Sequence, residues 1–307
     1  MDTTRWITHC YGRFLIDLPP QAIIIGAGYD LWGDPIEQLD EPAESLAALI
    51  NQRESGLKEQ QHDKIQSSMF LRRLEHGEHS KSLLSWSSGA SLEMYMLDTY
   101  VVAKPAWRVY RWKGGVSPDR EQHAIEMAND LARNIRSREP GEIPTEPGFC
   151  LDGGYIAGSQ FQSEGFRLGV SFPEHPGAYF AFRSSTGAEK DRLLERIDGF
   201  LMGAAKLVAG IETLRKGRHH VGPIEAEEYL VAGSDKSQRV YSLAWESQGK
   251  DGSIGEPNIT VSLGVLGRNN KADGSPPDPA FESDQQALDL WDAIIDSIRL
   301  RPGAVGP

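Results

Sequence analysis

"CYGRFLIDLPP" (Cys10–Pro20) is the stretch whose reading decides the fold. It opens on one of the chain's two cysteines and stops at two prolines. Read as a strand over Gly12–Leu18, it places Phe14 and Ile16 on one face and Leu15 on the other, because successive side chains point to opposite sides. Proline has no N–H to give a ladder, so Pro19–Pro20 ends the pairing. Two sharper readings fail. A lipid-attachment cysteine needs an apolar run and small residues before it, whereas Cys10 follows Ile7, Thr8 and His9. A nucleophilic Cys10 needs a base beside it, and the adjacent His9 would point to the opposite face of an extended strand. The stretch therefore reads as a structural strand of a first domain.

Working outward, the 307 residues suggest two domains. The chain is 39% hydrophobic and 25% charged, ordinary values for a protein that buries a core. Its net charge of −12 opposes nucleic-acid backbones, and no basic block with interleaved aromatics offsets this. No run approaches the roughly 18 apolar residues that a membrane span requires. "MDTTRWITHC" has no apolar leader core, so the expected location is cytoplasmic if Met1 is the true start.

A break falls at "SREPGEIPTEPG" (Ser137–Gly148), where three prolines and three glutamates leave no hydrophobic period. The expected organisation is a domain over 1–138, a semi-rigid linker over 139–147 and a domain over 148–307. Before the break, strand-like segments alternate with a helix carrying Leu46, Leu49, Ile50 and Leu57, and a helix at about Asp119–Arg138 closes the half. After it, three strands lead to a long helix expected from Ala188 to about Leu214. Further strands follow, with Ile259, Val261, Leu263 and Val265 alternating against Thr260, Ser262 and Gly264. A last helix, Ser283 to about Arg299, resembles the first closing helix: "QHAIEMANDLARNIR" and "QQALDLWDAIIDSIR" share Gln, Ala, Ile and Arg at matched positions. Gly12…Leu18-Pro19 pairs more loosely with Gly165…Phe172-Pro173. The fold class is α+β: two related modules, each an antiparallel sheet packed with two helices, joined by a Pro-rich linker.

The motifs that would carry chemistry each lack a required part. "IIIGAGYDLWG" has Leu31 where a dinucleotide loop needs its third glycine. "EHGEHS" has histidines at the wrong spacing for a zinc helix and reads as an exposed hairpin turn. His219 and His220 fall in a basic loop and read as solvated. "NNKADGSPPDPAFE" places Ala280 where a calcium loop needs a glutamate, and reads as a flexible loop. No GxSxG elbow is present. No cofactor, metal or catalytic residue is expected. Cys10 and Cys150 lack CxxC spacing and read either as two buried thiols or as a bond formed in an oxidising compartment. Trp32, Trp86, Trp112 and Trp245 are available to an interface or a core. The loops Gly28–Asp40 and Arg268–Pro279 are long enough to reach a partner, which makes Trp32, Asp34, Asn269, Asn270 and Asp273 the candidate contacts.

Two stretches carry a resemblance. "THCYGRFLIDLP" (Thr8–Pro19) resembles the opening of the immunity proteins cognate to type VI secretion lipase effectors. "GFCLDGGYIAG" (Gly148–Gly158) is similar to the start of that family's C-terminal domain. The resemblance implies a non-enzymatic inhibitor whose two α+β domains clamp one lipase effector and hinder its opening toward lipid. It also implies a periplasmic location, although no leader is legible in this sequence. A hydrolase with a dispersed triad and a structural component of a secretion or envelope complex are the alternatives.

Overall fold

The computed structural model describes residues 1–159, 163–197, 210–235, 238–272 and 275–306. The chain begins with a hairpin, β1 (Ile7–Tyr11) and β2 (Phe14–Leu18), then β3 (Ile23–Leu31) and β4 (Asp34–Leu39). Helix α1 (Leu46–Glu59) follows, and the two-residue strands β5 (Gln61–His62) and β6 (Ser67–Ser68). A meander of β7 (Phe70–Glu75), β8 (Lys81–Trp86), β9 (Tyr95–Ala103) and β10 (Arg108–Val116) leads to α2 (Glu121–Asn134) and β11 (Ile135–Ser137).

The same order then recurs. The hairpin is β12 (Gly148–Leu151) with β13 (Gly154–Ala157), and the next pair is β14 (Glu164–Ser171) with β15 (Ala178–Ser185). Residues 193–197 are helical. The second meander is β16 (Glu212–Arg218), β17 (Glu227–Asp235), β18 (Gln238–Ser247) and β19 (Asn258–Val265), closed by α3 (Asp284–Ile295) and β20 (Arg299–Leu300). In each meander the last strand returns to the earlier pair: β10 to β4, and β19 to β15.

Cys10–Pro20 is thus not one strand. Tyr11 pairs with Phe14 across a two-residue turn, Gly12–Arg13. Gly12 has φ 56°, a left-handed conformation that glycine adopts without steric penalty. Both faces of β2 are buried, which is why its apolar run is continuous. The matching element is the hairpin β12–β13, where Leu151 pairs with Gly154 across Asp152–Gly153. Cys10 and Cys150 stand one residue before the turn-flanking pair in each. The looser match of Gly12 with Gly165 is corrected, since Gly165 lies inside β14.

Two compact units result, and they do not follow chain order. Unit 1 comprises Met1–Ala27 with Phe161–Val305, and unit 2 comprises Gly28–Gln160. Strand pairing sets this grouping of contacts: β20 adds to β2, while β11 adds to β13. Each module core is closed by the hairpin that comes next when the chain is read as a circle.

In unit 2, α1 packs Leu46, Ile50 and Leu57 against Leu83, Tyr100, Val102 and Val109. Helix α2 also meets β9. With both faces covered, β9 is buried from Leu97 to Ala103. The segment 139–147 is tied back rather than loose: Arg136 donates to Glu146 (2.9 Å), and Tyr155 Oη donates to the Glu146 carbonyl (2.6 Å).

In unit 1, β15 alternates strictly, with Phe180 and Phe182 buried while Tyr179 and Arg183 are exposed. Phe182 meets Phe166 (4.8 Å between ring centres) and Phe14 (6.5 Å), so the β1–β2 hairpin packs on that inner side. Helix α3 starts on Ser283, whose hydroxyl accepts the Gln286 amide, and buries Leu290, Trp291, Ile294 and Ile295. The long helix expected over Ala188–Leu214 is corrected at its end: Glu212–Leu214 belong to β16, after Gly210 turns at φ 98°. Residues 198–209 of that expectation lie outside the described residues.

Candidate interaction surfaces

The predicted contact loop Gly28–Asp40 is largely the β3–β4 hairpin. Leu31 pairs with Asp34, and Trp32 and Gly33 both have positive φ (54° and 85°), the signature of a type I′ turn. The turn presents Trp32, which is half-buried and lies edge-on against Trp112 at 5.1 Å. The Trp112 indole donates to the Leu31 carbonyl (3.2 Å), so the tip is held from beneath. Asp34 sits over Gly114 and receives the Gly115 amide; burial pushes its carboxyl up, and that hydrogen bond opposes the rise.

Asn269 and Asn270 lie in unit 1, exposed, beyond the end of β19. Their loop is braced at its base, where Gln238 accepts the Arg268 amide (2.9 Å) and donates to the Arg268 carbonyl (2.6 Å). Lys271 pairs with Asp278 (2.8 Å). Asp273 lies outside the described residues. Trp32 and Asp34 therefore share one hairpin of unit 2, and the two asparagines share one segment of unit 1.

Of the other tryptophans, Trp112 and Trp245 are fully buried and serve the core. Trp107 was missed by sequence reasoning. It is 46% exposed at the β9–β10 turn, with φ 54°, under the Lys104 ammonium (4.6 Å) and against His79 (5.0 Å). The signal was an aromatic next to Lys104-Pro105 between two strands, a turn that holds a side chain outward.

Two histidine readings are corrected. His76 is buried, not an exposed turn residue, and bonds Asn129 (2.8 Å) and Ser82 (2.7 Å); burial lowers its pKa, opposed by the Asn129 bond. His219 is not solvated. Its Nδ1 meets Glu228 (2.8 Å) and its Nε2 meets Asp296 (3.0 Å). The Glu228 bond, with help from Asp296, holds His219 above its ordinary value. Burial pushes Glu228 up, but His219 and Arg215 outweigh it and hold the carboxyl low. Arg215 also grips Asp292 of α3 (3.0 Å), so the network pins that helix to β16 and β17.

A cavity of about 650 Å³ in unit 1 is lined in part by His220, Ser247, Glu246 and Lys250. His220 uses Nδ1 to accept the Ala226 amide (3.1 Å), a turn-bracing role. Among the described residues, no group of three or more His, Cys, Asp or Glu side chains is arranged to hold a metal. Cys10 and Cys150 are both buried and both disulfide-bonded; neither is a free thiol.

Missed entirely by sequence reasoning was Arg13, in the turn of the opening hairpin. It is 1% exposed and holds Glu164 in a bidentate pair (2.5 and 2.9 Å), while also donating to the Ala304 carbonyl. Burial pushes Glu164 up, and Arg13 opposes the rise.

These features define a class: an α+β protein built from a twice-used antiparallel plan, with aromatic and charged side chains displayed on hairpin tips. The chain belongs to the Tle cognate immunity protein 4 family, whose N-terminal domain model matches residues 7–138 and whose C-terminal domain model matches residues 142–303. Among solved structures it is similar to a chain in the crystal structure of a Tle4–Tli4 complex, at 60% identity and TM-score 0.94, covering 99% of this chain and 100% of that one. It is also similar to the apo immunity protein TplEi of the type VI secretion system of Pseudomonas aeruginosa, at 59% identity and TM-score 0.92, covering 99% of each chain. TplEi complexed with an "L" peptide matches at 58% identity and TM-score 0.87, covering 98% of this chain and 100% of that one. No curated protein matches. No helix among the described residues is long and apolar enough to cross a membrane.

Proposed function

We propose that this protein is a non-enzymatic immunity protein that binds a cognate type VI lipase effector, one to one, and holds it inactive. The observation that carries the reading is 60% identity, over essentially the whole chain, to a protein of the Tle4–Tli4 complex. Inhibition needs no chemistry in the inhibitor. A partner that binds only the closed form of an interfacial lipase shifts the effector toward that form by its differential affinity.

The two units supply the grip as a clamp, because linked sites raise one another's effective concentration. Trp32 and Asp34 in unit 2, with Asn269 and Asn270 in unit 1, are the proposed contacts. The compartment is the periplasm. Two disulfide-bonded cysteines favour an oxidising environment over the cytosol.

The test is co-purification of the tagged chain with the lipase effector encoded beside it, followed by sedimentation of the complex. A one-to-one complex is expected. Recovery of secretion machinery with no effector present would favour a structural role instead.

A further inference from the structure

The cavity of about 650 Å³ in unit 1 has one wall whose charge is not balanced. Strand register builds that wall. Arg218, Glu227 and Glu246 stand in one row across β16, β17 and β18, and neutral Thr260 of β19 follows them. Residues directly opposite in a ladder share a face, so two carboxylates lie side by side, which costs stability unless each finds a partner. Glu227 is compensated: it faces Arg218 across the ladder, accepts the Leu194 amide (3.0 Å) and has Arg192 at 3.8 Å. Glu246 is compensated on one oxygen only. Its side chain is 7% exposed, and Arg196 donates to Oε2. Oε1 is buried and, among the described residues, has no hydrogen-bond partner. The Asn258 amide, close by, is spent on the Ser247 carbonyl (2.8 Å).

A buried acceptor left without a donor is costly and uncommon. Burial pushes the Glu246 carboxyl up, and Arg196 only partly opposes the rise. The rest of the wall is not uniformly polar. Phe14, Leu193 and Ile259 line the same cavity and are themselves buried. A group that suits both features has an apolar stem and a cationic head bearing N–H donors. The volume falls in the range of small-molecule sites and exceeds what a bare ion needs. A metal ion is the poorer fit, since among the described residues no group of three or more His, Cys, Asp or Glu side chains converges.

We propose that this cavity binds an alkyl cation, its ammonium or guanidinium end donating to Glu246 Oε1 and its methylene stem packing on Phe14, Leu193 and Ile259. The site lies within unit 1 and does not depend on the immunity reading. Two sources carry this chemistry: a free alkylamine or alkylguanidine, and a lysine or arginine side chain of the effector.

The probe is n-butylguanidinium, titrated calorimetrically into the full chain at fixed ionic strength, with n-butanol as the uncharged comparison. The wild type is expected to bind the cation at least about tenfold more tightly than the alcohol, because a hydrogen bond to a charged group is the stronger kind. Glu246→Gln keeps an oxygen for Arg196 and places an amide donor where the second acceptor oxygen stood. It is expected to weaken binding of the cation by about tenfold or more, with thermal melting checking its fold. No binding of the cation by the wild type overturns the site, as does butanol bound equally well. A folded Glu246→Gln with wild-type affinity for the cation overturns it too. The source is read by titrating the effector into the chain saturated with the cation. A weakened effector Kd supports the site as a socket for an effector side chain, and an unchanged Kd supports it as a site for a free small molecule. Failure to recover any effector tells against the immunity reading alone, because the titrations of the cation and the alcohol need no effector.

Discussion

The two hairpins that close the two units occupy the same place in the repeated plan and are fastened by different physics. In unit 1 the β1–β2 turn sends Arg13 inward to a buried, bidentate pair with Glu164. In unit 2 the β12–β13 turn is held by several separate hydrogen bonds and, among the described residues, no buried ion pair: Tyr110 Oη donates to the Asp152 carbonyl (2.6 Å), Tyr29 Oη to the Asp152 carboxylate (3.0 Å) and the Arg138 guanidinium to the Leu151 carbonyl (2.9 Å). A buried pair gains little over a well-packed apolar contact but is costly to break, because the abandoned charge stays in low dielectric. A neutral bond is modest both to make and to lose. The architecture thus repeats while the fasteners, and their vulnerabilities, do not.

The largest expected effect follows from that asymmetry. Arg13→Met leaves Glu164 buried without its partner and should cost about 3–5 kcal/mol, read as a fall in the urea midpoint. Arg13→Met with Glu164→Leu should recover most of it, since both charges are then gone. A double variant as damaged as the single would break the comparison. Next comes Tyr110→Phe, which removes one hydroxyl from the second fastener and should cost about 1 kcal/mol in the same measurement.

A smaller effect is expected with pH, from the network that pins α3. His219 titrates above its ordinary value of 6.5, so its contribution is full below pH 6.5 and is lost as pH rises through the higher folded value. Glu228 titrates below its ordinary 4.5, so its contribution is full above pH 4.5 and is lost as pH falls through the lower folded value. Stability from this network should therefore peak between the two, and His219→Gln should remove the decline on the alkaline side of a midpoint-against-pH curve. The smallest effect is expected at Trp107. Because it is outward and unburied by the core, Trp107→Ala should change stability by no more than about 0.5 kcal/mol in thermal melting.

What was legible in the sequence was local. The strict alternation of Ile259–Val265 gave β19, and the matched closing helices gave the repeat, because period and capping are written within a few residues. The opening hairpin was not legible. Phe14–Leu18 is apolar on both faces, so no alternation marked where the Gly12–Arg13 turn divides the run. Glu212–Leu214 continued a helical period in sequence, yet the chain turns at Gly210 and pairs with β17. His219 looked solvated because its partners lie 9 and 77 positions away, and only folding brings them in. The same applies to Arg13, whose partner is 151 positions distant. Of the proposed contacts, Trp32 and Asp34 were found as a long glycine-containing loop, while the hairpin that presents them came only with the register.

On the proposed reading, this protein acts by binding another protein and makes or breaks no covalent bond itself. The most direct measurement is a titration of the effector's lipase activity with the purified chain, with the chain alone assayed on the same substrate. Activity is expected to fall linearly to near zero at one equivalent, and the chain alone to release no product. Effector activity that persists in excess chain, or product released by the chain alone and abolished by replacing a single serine, would contradict it.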